Sequence, residues 1–192
     1  MTTHHGWVSV GMDHDTAQCA TATLRRWWQA MGSQAYPQAA ALLVTAESGG
    51  SNSRRSRLWK VALQTVADAI RLPTSVGHVP PGTSKWKKIE HQMLCHSTEN
   101  WRGRPLRSLE VMVNLMGHTT TTTGLRIQAE LDTPTYPTGL KVREQALAAV
   151  PITKATFHGA WNYTQERNHQ GKGNIWLFPT PSPVGEADAT HH

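Results

Sequence analysis

Two carboxylates stand where metal-assisted phosphoryl chemistry could use them. Glu47 follows the apolar run Ala41-Leu42-Leu43-Val44-Thr45-Ala46. Glu90 comes after the Pro80-Pro81 break, behind Lys85, Lys87 and Lys88, and is the sole acid between Asp68 and Glu99. Carboxylate oxygens are hard ligands that suit Mg2+ or Mn2+, and a pair of such ions can clamp the attacking and leaving oxygens of an in-line transfer. That chemistry ordinarily needs a third acid. Asp13 and Asp15, just past the first apolar segment, are the candidates, and Asp15 has a competing use as a helix cap. Taken alone, an acid among lysines is more often a surface ion pair. The strand–helix order around it changes that balance.

Other chemistries fit less well. His78, His91, Cys95 and His96 lie close in sequence, yet their spacing does not give the two paired-ligand steps of a structural zinc site. Ser51 and Ser53 lack a nucleophile elbow, and no Gly-rich phosphate loop ending in Lys-Ser/Thr occurs.

The elements that must position the acids alternate strand and helix. Trp7 to Met12 alternates large and small residues as a half-buried strand. Asp15 or Thr16 caps a helix carrying Ala17, Ala20, Leu24, Trp27, Trp28 and Met31, and Gly32 is expected to end it. The Trp pair reads as core packing. Residues 41–46 read as a buried, parallel strand, because the run has no polar alternation. Gly49 and Gly50 turn the chain, and Asn52 or Ser53 is expected to cap the next helix, whose apolar face is Leu58, Val61, Ala62, Val66 and Ile70. Arg54, Arg55, Arg57 and Lys60 crowd its start, where cations oppose the helix dipole unless an anion binds. Thr74 to Val79 is a further strand, and the helix bearing Glu90 follows, with Ser84 as its expected cap. This βα alternation implies a mostly parallel or mixed sheet covered by helices, with ligands at the carboxyl ends of its strands.

Later segments are a basic loop at 101–107, a helix from Ser108 and a threonine run at 119–123. An alternating strand at 125–131, a short helix around 144–150 and an aromatic patch from Phe157 to Tyr163 come next. From about Gln165 the chain turns to Gly, Pro, Asn and His, and 165–192 reads as a mostly disordered tail.

Composition limits the alternatives. The chain has 192 residues, 38% of them hydrophobic and eight of them Trp, enough for one domain with a sizeable core. No apolar run of about 18 residues exists to cross a membrane, and no secretory leader is visible. With only Cys19 and Cys95, a disulfide framework is not expected, and the cytoplasm is the expected compartment. The formal charge of +6 is concentrated: residues 51–110 hold eleven Lys and Arg against four acids, a net of +7. Such a concentration is the footprint of a nucleic-acid phosphate partner or of a solvated basic face.

A set of motifs in fixed order then carries a resemblance. Gly11-Met12-Asp13-His14-Asp15-Thr16-Ala17, Arg25-Arg26-Trp27-Trp28, Gly49-Gly50-Ser51-Asn52 and Arg57-Leu58-Trp59-Lys60 are followed by Pro80-Pro81-Gly82-Thr83-Ser84-Lys85-Trp86. Ile89-Glu90-His91, Asn100-Trp101-Arg102-Gly103-Arg104-Pro105-Leu106 and Trp161-Asn162-Tyr163 complete the set. Over about residues 6–164 the chain resembles the ISAzo-type insertion-sequence transposases, a branch of the DDE transposases whose domain is also described as Rhodopirellula-type. The resemblance implies an α/β, ribonuclease-H-like (retroviral-integrase-type) mixed sheet flanked by helices. It also implies metal-dependent DNA strand cleavage and transfer at insertion-sequence ends, with Mg2+ or Mn2+ as cofactor. Glu90 matches the family's final catalytic Glu and position 47 its second acid, and with Asp13, taken from its place after the first strand, they form the expected metal set. Within the basic middle third, Arg54, Arg55, Lys85, Lys88, Arg102 and Arg104 are the expected DNA-phosphate contacts. Partners would be transposon-end and target DNA, with a second copy or a full-length transposase.

Three departures qualify the match. The family usually has Asp where Glu47 stands, and a side chain longer by about one C–C bond disturbs a site that must hold to about 0.5 Å. It usually has Asn at Lys87. The family's first catalytic Asp and first strands lie upstream of the region matching Trp7, so the expectation is an N-terminally truncated domain with exposed strand edges. The expected layout is a partial catalytic domain over 6–118, its C-terminal extension over 119–164, and the tail. Whether it cuts DNA, or only binds it as a non-catalytic transposase remnant, stays open at this level.

Overall fold

The computed structural model describes residues 5–83, 88–103, 105, 107–120 and 124–168, with backbone alone for 88–92, 94 and 100. The elements are β1 (His5–Gly11), α1 (Ala17–Trp27), α2 (Ser33–Ala35), β2 (Leu42–Glu47), α3 (Arg57–Ile70), β3 (Thr74–Val79) and α4 (Lys88–Trp101). They continue with α5 (Leu109–Gly117), β4 (Arg126–Asp132), α6 (Glu144–Ala148), β5 (Ile152–Lys154) and β6 (Asn162–Gln165). The architecture is mixed α/β.

The strands do not form one sheet as the alternation suggested. β1 pairs in parallel with β4, and the order β2-β3-β6-β5 makes a second, mixed sheet. The sequence pattern specifies strands but not partners, and both partners that complete these sheets arrive late in the chain. β4 takes β1, and β6 takes the free side of β3.

β2 corrects a second expectation. Val44 and Ala46 are buried, but Leu43 is 69% exposed and Thr45 is exposed too. The run is apolar on both faces, yet the strand stands at the end of its sheet and only one face is covered among the described residues. The covered face meets α1 and α3: Ala17, Trp59, Leu63, Val66 and Ile70 pack with Val44, Ala46, Val76 and Tyr163.

Helix ends follow local chemistry. The Thr16 hydroxyl caps α1 by accepting from Cys19 N at 3.2 Å. Gly32 does not stop this helix. A π-helical turn, Trp28–Gly32, carries it into α2, and Gly32 tolerates the turn because a Cβ there would lie 2.7 Å from the Trp28 ring. Trp28 packs against the core as expected. α3 is capped by Ser56, which accepts from Trp59 N at 3.1 Å, rather than by Asn52 or Ser53. A 3-10 turn at Gly50–Asn52 occupies those residues and delays the helix. Ser108 caps α5, accepting from Val111 N at 3.3 Å.

α5 lies on β4 and β1. Met93 of α4 meets β1 at Gly6, where a Cβ would sit 2.9 Å from its sulfur. At the C-terminal side, Gln165 is fully buried in β6, and Asn168 is held by Asp68 at 2.8 and 3.0 Å. Most of the tail expected over 165–192, residues 169–192, lies outside the described ones. No helix among the described residues is long and apolar enough to cross a membrane.

Candidate DNA-processing site

Glu47 is the last residue of β2 and pairs in register with Val79, the last residue of β3. Because the two strands are parallel, their carboxyl ends open on the same side. Glu47 Oε1 accepts the backbone N–H of Gly82 at 2.9 Å, which ties the end of β2 to the segment leaving β3. That segment leads into α4, where Glu90 lies in the first turn. Glu47 and Glu90 thus stand on chain leaving the same end of adjacent strands.

The two acids after β1 are placed differently. Asp13 Oδ2 accepts the backbone N–H of Tyr136 at 2.8 Å, and that hydrogen bond, followed by one from the His14 backbone, holds its pKa below the usual carboxylate range. Asp15 accepts from the Ser51 hydroxyl at 2.9 Å and so touches the 3-10 turn that follows Glu47. Of the pair, Asp15 is the acid that reaches the β2 loop, whereas Asp13 is turned toward the β4 side.

Carboxylate donors of this kind suit a hard divalent cation. Among the described residues, however, no three His, Cys, Asp or Glu groups converge to hold one. His78 is buried in β3 with Nε2 3.3 Å from the Tyr163 hydroxyl, and Cys95 is exposed on α4.

The basic residues fall into two groups. Arg54 and Arg55 precede α3. Arg54 lies over the Trp161 ring, 4.3 Å from its centroid, while Arg55 is exposed. Arg102 is exposed just past α4, 3.6 Å from Glu99. Lys88 begins α4, and Lys85 and Arg104 lie outside the described residues.

A family model described as the Rhodopirellula transposase DDE domain matches residues 1–166. The chain belongs to that family. No curated relative and no solved structure matches it. Membership implies a DNA partner, and DDE domains generally use a divalent metal.

This transposase DDE domain also gathers charged residues whose nearness spacing did not reveal. Lys60 Nζ stands 5.9 Å from the Tyr163 ring centroid, and Lys154 pairs with Tyr163 across β5 and β6. Burial, then Lys154, Arg54 and Arg57, lower the Lys60 pKa, so these cations share one region. Their nearness depends on β6 inserting beside β3. The sequence signals were the cations at the start of α3 and the aromatic patch that includes Trp161 and Tyr163, with nothing to join the two.

A second group, also missed, joins α1 to the β1–β4 sheet. Arg26 bridges Asp132 at 2.8 Å, Glu130 and the Ser9 hydroxyl, and the Tyr136 hydroxyl donates to Asp132 at 3.0 Å. Burial opposes the Arg26 charge, but hydrogen bonds to Asp132 and Tyr136 outweigh it and raise the Arg26 pKa. The Arg25-Arg26 motif was visible in the sequence, but its acidic partners, Glu130 and Asp132, were more than 100 positions away.

Proposed function

We propose that this transposase DDE domain cleaves and joins DNA strands at the ends of its insertion sequence, on a ribonuclease-H-like scaffold. Glu47 and Glu90 serve as carboxylate ligands for Mg2+ or Mn2+. The observation that supports this is the pairing of Glu47 with Val79 at the shared end of two parallel strands, from which the chain runs directly to Glu90. Acids gathered at strand ends fit the place where α/β sheets bind ligands. The bound ion would supply charge stabilisation at the scissile phosphate. The protein's part is to hold the acids, and the Gly82 N–H fixes one Glu47 oxygen for that purpose. Asp15 is the better placed third acid, since its carboxylate already meets the turn after β2. Arg54, Arg55, Lys88 and Arg102, with Lys85 and Arg104, contact DNA phosphates.

The test is a nicking and strand-transfer assay with the element's own ends and Mg2+ or Mn2+. Cleavage that Glu90→Gln reduces at least about a hundredfold is the expected result. Glu47→Asp, which restores the family's usual acid, is expected to keep or raise activity.

A second reading has its own support. With Glu where the family usually has Asp and a concentrated basic charge, the chain fits a DNA-binding form without chemistry. Metal-independent binding without cleavage in either ion would select that reading.

A further inference from the structure

The β5–β6 hairpin presents an aromatic ring that the proposed catalysis does not use. Phe157 is 73% exposed, more than any other large apolar side chain among the described residues. The tip that carries it is tightly built. Ala155 N donates to Asn162 O at 3.0 Å, Trp161 N to His158 O at 2.8 Å, and the Asn162 side-chain amide to Phe157 O at 3.1 Å. His158 takes a left-handed φ of 47°, and a Cβ at Gly159 would fall 2.6 Å from Ala155 O. His158 also meets the Phe157 ring edge-on, with centroids 4.3 Å apart. A turn bonded this closely holds its exposed ring in place.

The same hairpin borders a concentration of positive charge. Arg54 lies over Trp161, Lys154 ends β5, and Lys60 approaches Tyr163 from α3. Arg57 nearby is paired with Glu144, but Arg54, Lys60 and Lys154 have no carboxylate in ion-pair reach among the described residues. Like charges brought together without an acid repel until an anion joins them. A flat apolar ring beside unpaired cations matches what single-stranded nucleic acid offers, a base face and a phosphate in each unit. Duplex DNA hides its base faces, so it would engage the cations and leave the ring unused.

We infer that the β5–β6 hairpin is a subsite for unpaired DNA, in which Phe157 stacks on an exposed base while Arg54, Lys60 and Lys154 hold the flanking phosphates. This rests on DNA being the partner of the domain, as proposed above, but it does not require the domain to cut. An unpaired strand arises next to any nick or frayed end, so the subsite would hold DNA whose pairing is already open.

The experiment uses the full chain in EDTA, so that cleavage plays no part. Binding of a 20-nucleotide oligothymidine and of a 20-base-pair duplex is followed by fluorescence anisotropy across a salt series. Phe157→Ala is expected to weaken single-strand binding by about 5- to 150-fold, the range for loss of one stacked base, with duplex affinity within about twofold. Phe157→Trp is expected to restore binding and Phe157→Leu is not, because stacking and not apolar bulk is required. Lys154→Gln is expected to reduce the single-strand salt slope by about 0.7. Thermal unfolding of each variant, unchanged at so exposed a position, excludes a folding defect. Equal loss on both DNA forms, no loss with Phe157→Ala, or no binding of single strands by the parent chain would each overturn the inference. Ring-dependent binding in a chain that never cleaves would leave the subsite standing and remove only the catalytic reading. Cleavage without any Phe157 effect would do the reverse.

Discussion

His78, which the sequence sets near other histidines, becomes part of a core. It sits in β3 with 6% exposure, between Tyr163 and the cations at the start of α3. Burial, then Lys60 and Arg54, push its pKa down to about 4. The Tyr163 hydroxyl nearby also accepts from the Trp59 indole at 3.0 Å, and burial pushes its own pKa up to about 12. The folded state thus keeps His78 neutral, whereas the unfolded chain protonates it near pH 6.5. A depressed folded pKa contributes stability above the unfolded value, and this is lost as pH falls from about 6.5 to about 4. Denaturant titrations at pH 7.5 and pH 4.5 are expected to differ by roughly 2 kcal/mol from this group, after allowance for screening. His78→Gln should flatten that part of the profile. The same slope in the variant would assign it to other groups.

Among elements, strands whose identity depends on neighbouring residues were legible. β3 runs over Thr74–Val79, the span that its β-branched residues and flanking prolines indicated. β2 was legible as a strand but not in its surroundings, because its own residues cannot say that it ends the sheet. The cap of α3 was misplaced by a few residues, since several serines competed and only the 3-10 turn decides among them. Ser56 starts a helix whose first turns hold Arg57 and Lys60 and no acid, so the cap is one of few favourable terms there. Ser56→Ala is expected to cost about 1 kcal/mol, read as a fall of roughly 2–4 °C in Tm. Ser56→Asp should hold or raise Tm, because it keeps the acceptor and adds a favourable charge. A lowered Tm for the Asp variant would show that the cap is not governing this end.

At the scale of the whole molecule, α1 joins the two sheets. Its Ala17 side enters the core under β2 and β3, while Arg26 reaches across to Ser9, Glu130 and a fully buried Asp132. This arrangement was not legible, because an ion pair over such a separation leaves no local trace. The position of Glu47 at the end of a strand was legible, because an apolar run leads straight into it. Arg26→Met leaves Asp132 charged and without its cation, and a loss of about 3–5 kcal/mol is expected in chemical denaturation. Replacing Asp132 by Leu as well should recover much of it, since the unpaired charge is then gone. A small effect of the single change would mean that water reaches Asp132.

The pairing of β1 with β4 also sets the order in which the protein can be finished on the ribosome. His5 meets Arg126, so β1 waits for a partner encoded some 121 positions later. At about 5–20 residues per second, the nascent β1 spends on the order of ten seconds without that neighbour. Its Trp7, Val8 and Val10 are then open to other chains, while β2 and β3 of the second sheet are made and can pair before β4 arrives. Yield of this domain in cells should therefore respond to translation speed and to chaperones more than its final packing suggests.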